Sequence, residues 1–284
     1  MVRYSVRFQT VHEADAQSCR LQPAIRYAAD IRSAQLSTSP LPTPPLYLNR
    51  LLASLSDDDR ALLRPHLEPV TLPLGTVLIE PDRRISYAHF PEDGLCSVIA
   101  SAQEGGGIEI GLLGRDGLAG VALALGADQM PHQIFMQVAG RSHRIDSDAL
   151  RQAIDASASL RNLLLRYAQT FLIQVAQTAL ANASAPAEER LARWLVMYHD
   201  RLDGDDLSVT HEFLSLMLGV RRPTVTVALQ MLEGAGLIRA RRGRVVVLNR
   251  SGLVEAAGEA YGPAEAEYER LIAPLRRAAQ SPSA

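Results

Sequence analysis

Apolar positions along this chain change their period twice. After a short amphipathic stretch, "YLNRLLASLSDDDRALLRPHL", which predicts a helix, they come in brief β-rich runs. These are "EPVTLPLGTVLIEPD", "RISYAHFPEDGLCSVIAS", "GIEIGLLGRDG" and "IFMQVAGRSHRID", cut by Gly, Pro and Asp turns. No helix of crossover length intervenes, so the spacing predicts an antiparallel roll or barrel rather than a parallel sheet. From Asp148 the period lengthens: Leu160, Leu164, Ala168, Phe171 and Val175 recur by four and three, with Leu163, Leu172 and Leu180 broadening the stripe. That pattern predicts one long helix whose face is wide enough to zip against a second copy. Packing against the chain's own β domain is the competing use of the same face. "NASAP" then interrupts before a further helix, "AEERLARWLVMYHDRL".

Residues 210–248 parse almost completely. Thr210 is a candidate N-cap for the two-turn helix "HEFLSLMLG", with Leu214, Met217 and Leu218 facing inward and Gly219 supplying a tight turn. In the helix that follows, Val225, Leu229, Leu232 and Ala235 fall at i, i+4, i+7 and i+10 and predict one buried face. Arg222, Thr226, Gln230 and Glu233 lie opposite. Gly236 stops this helix, and "LIRARRGRVVVLN" reads as a hairpin turning at Arg242-Gly243. Helix, three-residue turn, helix and basic hairpin is a winged helix-turn-helix arrangement. Pro223 sits in a first turn, where its missing N–H has no intrahelical partner to lose. Arg can bond guanine bidentately, Thr hydroxyls can reach phosphates, and methyl groups can touch thymine. Arg241, Arg242 and Arg244 would meet phosphates from the wing. The candidate DNA-facing set is Thr210, His211, Arg221, Arg222, Thr224, Thr226, Val227, Gln230, Arg241, Arg242 and Arg244.

Charge sharpens this picture. The 284-residue chain has a formal net charge of -2, yet residues 208–250 hold seven arginines against two acids, a net of +5. An acidic protein with one compact basic segment predicts a polyanionic partner for that segment alone. All 29 basic residues are arginine, which fits a GC-rich genome's codon bias, so position rather than identity must carry each assignment. No run of eighteen apolar residues predicts a membrane span, no secretory signal is legible, and the expected location is the cytoplasm. Two cysteines, Cys19 and Cys96, predict no disulfide framework, zinc site or iron–sulfur cluster. "GLLGRDG" lacks the Lys-Ser/Thr ending of a phosphate loop. Haem ligation by His89 or Cys96 has nothing to support it, His132 and His143 lack metal spacing, and no cofactor is expected. No nucleophile elbow or paired catalytic carboxylates appear, so the chain does not read as an enzyme.

The sequence resembles the Crp/Fnr, or catabolite-activator-like, family of bacterial regulators over most of residues 46–250. The motif T-x8-G-V-R-R-x-T-V-x3-L-x-M-L-E-x3-L-I, residues 210–238, carries the likeness. The resemblance implies an α+β chain made of a cyclic-nucleotide-binding-like antiparallel β-roll, a long dimerisation helix and a C-terminal winged helix-turn-helix. It further implies a homodimer on a pseudo-palindromic operator in double-stranded DNA, in contact with RNA polymerase. The expected divisions are a flexible extension (1–44), sensor (45–147), dimerisation helix (148–182), DNA-binding domain (183–250) and helical tail (251–284). The dimerisation set is Leu160, Leu164, Ala168, Phe171 and Val175.

The match is partial. Where relatives read Arg-Glu-x3-Arg, this chain keeps Arg222 but has Pro223 and Val227, so its operator should differ. In the sensor, Gly120 fits the family's phosphate cassette, but Val121 replaces the glutamate and no arginine lies between Arg115 and Arg141. Cyclic-nucleotide binding in the usual mode is therefore not expected, and the effector is unreadable. The function expected is a homodimeric, sequence-specific transcriptional regulator. The alternative is a ligand-binding β-roll module whose C-terminal domain packages DNA nonspecifically or binds protein.

Overall fold

The computed structural model describes residues 46–101 and 107–280; the expected extension over 1–44, with Cys19, lies outside them. The amphipathic stretch at the start is broken rather than one helix. A 3-10 turn (Leu52–Ser54) is followed by α1 (Asp57–Leu63) and a second 3-10 turn (Arg64–His66). Ser56 causes the restart, since its side chain accepts the Asp59 N–H as an N-cap.

Seven antiparallel strands then form the roll: β1 (Glu68–Leu72), β2 (Val77–Ile79), β3 (Tyr87–Pro91), β4 (Leu95–Ser101), β5 (Gly107–Leu113), β6 (His132–Val138) and β7 (Gly140–Asp146). They make two sheets, ordered β2-β6-β4-β5 and β1-β7-β3, with the short α2 (Val121–Ala124) between β5 and β6. β4 explains how the molecule is layered. Successive strand side chains point to opposite faces, and here both faces are covered. Cys96 and Val98 enter the roll's interior, while Leu95 and Ile99 enter a second core shared with the C-terminal domain.

The expected single long helix is two. α3 (Ser147–Ala156) ends, Ser157 is extended at φ -125° and ψ 117°, and its side chain accepts the Leu160 N–H to start α4 (Ala158–Ser184). α4 also corrects the expected dimer face. Leu160, Leu164 and Ala168 are buried in the roll's own core, Phe171 packs against it, and Val175 is half-buried. The competing use of that stripe is the one realised. A different row, Leu165, Gln169, Leu172, Ala176, Ala179 and Ala183, is exposed along the same helix.

After α5 (Ala187–His199) come β8 (Asp206–Ser208), α6 (His211–Leu218), α7 (Arg222–Gly234), β9 (Ile238–Arg241) and β10 (Arg244–Val247). Strand β8 joins the hairpin to make a three-stranded sheet, β8-β10-β9. α8 (Arg250–Ala257) belongs to the same core through Leu253 and Ala257. α9 (Pro263–Leu271) and α10 (Ala273–Gln280) return to α4 and the roll, where Ile272 enters the first core. Among the described residues, no helix is long and apolar enough to cross a membrane.

Candidate nucleic-acid interface

Short-range chemistry sets the two helices of the motif. Thr210 is extended, and its hydroxyl accepts the Phe213 N–H at 3.2 Å, capping α6. Gly219 ends α6 in the left-handed region, at φ 61° and ψ 36°. A Cβ there would also lie 2.8 Å from Ile108 Cδ1 on β5, so glycine serves both the turn and the close approach to the roll. Arg221 is extended at the head of α7, with Pro223 in the first turn and no side chain capping the N–H groups. Pro223 has no N–H and the Thr224 N–H bonds the Arg221 carbonyl at 3.0 Å, so the exposed head of α7 offers chiefly its helix dipole and the Arg221 and Arg222 side chains.

α7 buries Val225, Ala228, Leu229 and Leu232. Ala235, expected on that face, is exposed, because the helix stops at Gly234 and the chain has begun to turn away. Arg221, Arg222, Thr224, Val227 and Gln230 are exposed and Thr226 is half-buried. The Thr226 hydroxyl donates to the Arg222 carbonyl at 3.1 Å and lies 3.4 Å from His211 Nδ1, so it is already engaged locally. Glu233 is exposed, as its place opposite the buried face predicts, and it accepts the Ala240 N–H at 3.1 Å, tying the end of α7 to the wing.

The structure brings the start of α7 and the wing tip together. Arg222 and Arg242 line one open recess with Thr210, His211, Glu212 and Gly243. Thr226, Gln230, Arg241 and Arg242 line the groove between α7 and the hairpin. Among the described residues, Arg221, Arg241 and Arg242 have no acidic partner, whereas Arg244 pairs with Asp206 at 2.8 Å. Arg222 pairs with Glu212 at 2.6 Å. That clamp was not anticipated, although Glu212 is one of only two acids in the basic segment.

The opposite face of the domain rests on the roll. Trp194 of α5 donates its indole N–H to Glu109 of β5 at 2.6 Å, and the second Glu109 oxygen has no partner. Burial pushes the Glu109 carboxyl up to about 8, against the opposing pull of the Trp194 bond and the Arg193 and Arg201 charges. Phe213 stands edge-on to Phe135 of β6, with ring centroids 6.4 Å apart. Arg190 donates to the Leu218 carbonyl at 2.6 Å, serving the C-terminal end of α6.

Within the roll, Gly120 at φ 118° opens α2, whose Val121, Ala122 and Leu123 are buried. The position at which the family resemblance implies a ribose-binding glutamate thus holds a valine packed into the core. His89 is buried, and desolvation with the Arg144 charge lowers it to about 4. Burial and the Asp116 charge push the Cys96 thiol up to about 12.

Residues 189–256 match the family model of the Crp-like helix-turn-helix domain. No curated protein matches the chain. Among solved structures, a transcriptional regulator of the Crp/Fnr family from Eubacterium rectale is 18% identical with a TM-score of 0.59, over 73% of this chain and 97% of that one. The c-di-GMP-responsive global regulator CLP of Xanthomonas campestris is 19% identical with a TM-score of 0.55, over 67% and 98%. A Crp/Fnr-family regulator from Thermus thermophilus is 21% identical with a TM-score of 0.53, over 67% and 98%. At these identities the likeness is one of fold.

Proposed function

We propose, for a chain that carries a Crp-like helix-turn-helix domain on the Crp/Fnr fold, that it is a homodimeric, sequence-specific transcriptional regulator acting in the cytoplasm. The observation that carries this reading is the convergence of Arg222 at the head of α7 with Arg242 at the wing tip on one exposed recess. A helix N-terminus and a hairpin presenting guanidinium groups side by side fit a major groove and its flanking phosphates. Arg222 exchanges Glu212 for a base edge, Thr224 and Val227 lie alongside, and Arg221, Arg241, Arg242 and Arg244 neutralise phosphates. The exposed α4 row Leu165, Gln169, Leu172, Ala176, Ala179 and Ala183 repeats by four and three, the spacing of a two-helix seam. Two copies joined there present two α7 helices to half-sites about 34 Å apart. The sensor does not take cyclic nucleotide in the family's mode, because Val121 is buried where a glutamate would be needed. A contact with RNA polymerase follows from the same family likeness.

The test is selection of bound fragments from genomic DNA by the full chain at moderate salt. An inverted-repeat motif with half-sites one helical turn apart is the expected result. Capture without a preferred motif would overturn the reading in favour of nonspecific packaging or a protein-interaction domain.

A further inference from the structure

Between the turn after β5, α4, the end of α5 and α9 lies a cavity of about 240 Å³. That is small beside the roughly 300–1,000 Å³ of drug-sized sites, room for a small metabolite only. Its lining includes four aromatic side chains: Tyr167 and Phe171 on α4, Tyr261 before α9, and Tyr268 on α9. The site is separate from α2, the place of the family's nucleotide cassette, and a third of its lining residues come from the C-terminal tail.

Two buried groups in this wall lack partners. The Tyr268 hydroxyl has none, and neither does Nε of Arg201, whose guanidinium otherwise pairs with Asp116 at 2.7 Å and donates to the Met197 carbonyl at 2.8 Å. An arginine Nε–H can only donate, and a phenol donates readily, so both ask for an acceptor. Buried donors are rarely left without one. The charges divide in the same sense. Asp116 is answered by Arg201, and Asp200 by Arg250 at 2.6 Å and by Tyr261. Among the described residues, Arg50, Glu265 and Glu269 also line the cavity and form no ion pair. Among the described residues, the Arg50 cation and the Glu269 carboxylate are uncommitted, and Glu265 keeps one free oxygen while its other accepts the Gly262 N–H at 2.9 Å; around a small aromatic chamber they call for a ligand bearing both signs. Its anionic oxygens would meet Arg50, Tyr268 and the Arg201 Nε–H, while its cation would meet Glu265 and Glu269 against the tyrosine faces.

We propose that this cavity binds a small zwitterion of the α-amino-acid class, its carboxylate held by Arg50 and Tyr268 and its ammonium by the α9 carboxylates. Because Arg201 follows α5 of the DNA-binding domain and Asp116 belongs to the roll, the ligand would bridge the two. The consequence for operator binding rests on the function proposed above; the binding itself does not.

The test uses the full chain without DNA. Thermal shift and titration calorimetry are run with the twenty L-amino acids singly, then with the amide and the N-acetyl form of any that binds. The expected result is saturable binding of one amino acid per chain, with each blocked form weaker by at least an order of magnitude. Tyr268→Phe should leave the unliganded melting temperature unchanged or higher, since it removes a hydroxyl without a partner. It should nonetheless weaken binding on the order of ten-fold, the loss of one hydrogen bond to a charged group. Glu269→Gln should weaken the amine-bearing ligand but not alter folding. If none of the twenty binds, if the amides bind equally well, or if Tyr268→Phe binds like the parent, the proposal fails. Failure here leaves sequence-selective DNA capture intact, so the two readings are separable.

Discussion

Arg222 meets Glu212 and Trp194 meets Glu109 at the same 2.6 Å, on opposite faces of one domain. Outward, both partners are mostly in water: the Arg222 and Glu212 side chains are 60% and 79% exposed. Exposed pairs of this kind contribute about 0–1 kcal/mol and are screened by salt, so a phosphate or guanine can displace the glutamate cheaply. Inward, Glu109 is 4% exposed and carries one unsatisfied oxygen, while the other accepts the Trp194 indole N–H. Breaking that contact without separating the domains strands a buried acid. The outer face is thus built to exchange partners, and the inner face to stay fully docked or to open.

The largest break in this comparison comes from Trp194→Ala. It removes a buried aromatic and the Glu109 donor together, and chemical denaturation should show a loss of about 3–5 kcal/mol. A loss under about 1 kcal/mol would mean the inner face does not hold the domain.

Next is pH. A folded-state carboxyl raised to about 8, above its ordinary 4.5, stays protonated where the unfolded chain's has ionised. Below about 4.5 the two states bind the proton alike and there is no penalty. As pH rises toward 8 the unfolded state is progressively favoured, and above 8 the penalty is complete. Glu109→Gln should therefore raise the melting temperature at pH 8, leave it nearly unchanged at pH 4.5, and flatten the slope between. A parental slope in the variant would remove Glu109 as its source.

On the outer face the effects are smaller for stability and larger for DNA. Arg222→Ala should cost about 1–3 kcal/mol on the preferred site and relax base preference there. Arg242→Ala should weaken all sequences alike and reduce the salt slope by about 1. A site-selective loss from Arg242→Ala would exchange the two roles. The smallest effect belongs to Glu212→Gln. Stability should move by less than about 0.5 kcal/mol, while DNA binding tightens because Arg222 no longer has a carboxylate to leave. Weaker binding would show that Glu212 positions Arg222 rather than restraining it.

Elements that depend on neighbours a few residues away were legible along the chain. Thr210 caps α6, Gly219 turns it, Pro223 opens α7, and Gly243 closes the wing, as the spacing predicts. Among the candidate DNA residues, exposure agrees with the periodicity except that Thr226 is half-buried and turned back onto the Arg222 carbonyl. The expected long helix failed at Ser157, since a serine within an apolar pattern can face solvent or start a new helix, and only the chain's path decides. The α4 stripe was visible but ambiguous. A face of leucines says that something covers it, and Leu160 and Leu164 turned out to be covered by the roll.

What the sequence determined by itself was the local grammar: roll, helix, helix-turn-helix, wing, and the position of the basic segment. Caps, turns and helical faces are satisfied within four residues, so short windows carry them. Tertiary structure alone decided which parity of β4 faces which core, that Glu109 and Trp194 meet across 85 residues, and that Glu212 holds Arg222. It also decided that α9 comes back to wall a cavity with α4. The reason is physical. An apolar or charged side chain states a need for burial or for a partner, but the surface that meets the need is assembled from segments far apart in the chain, and only the fold brings them together.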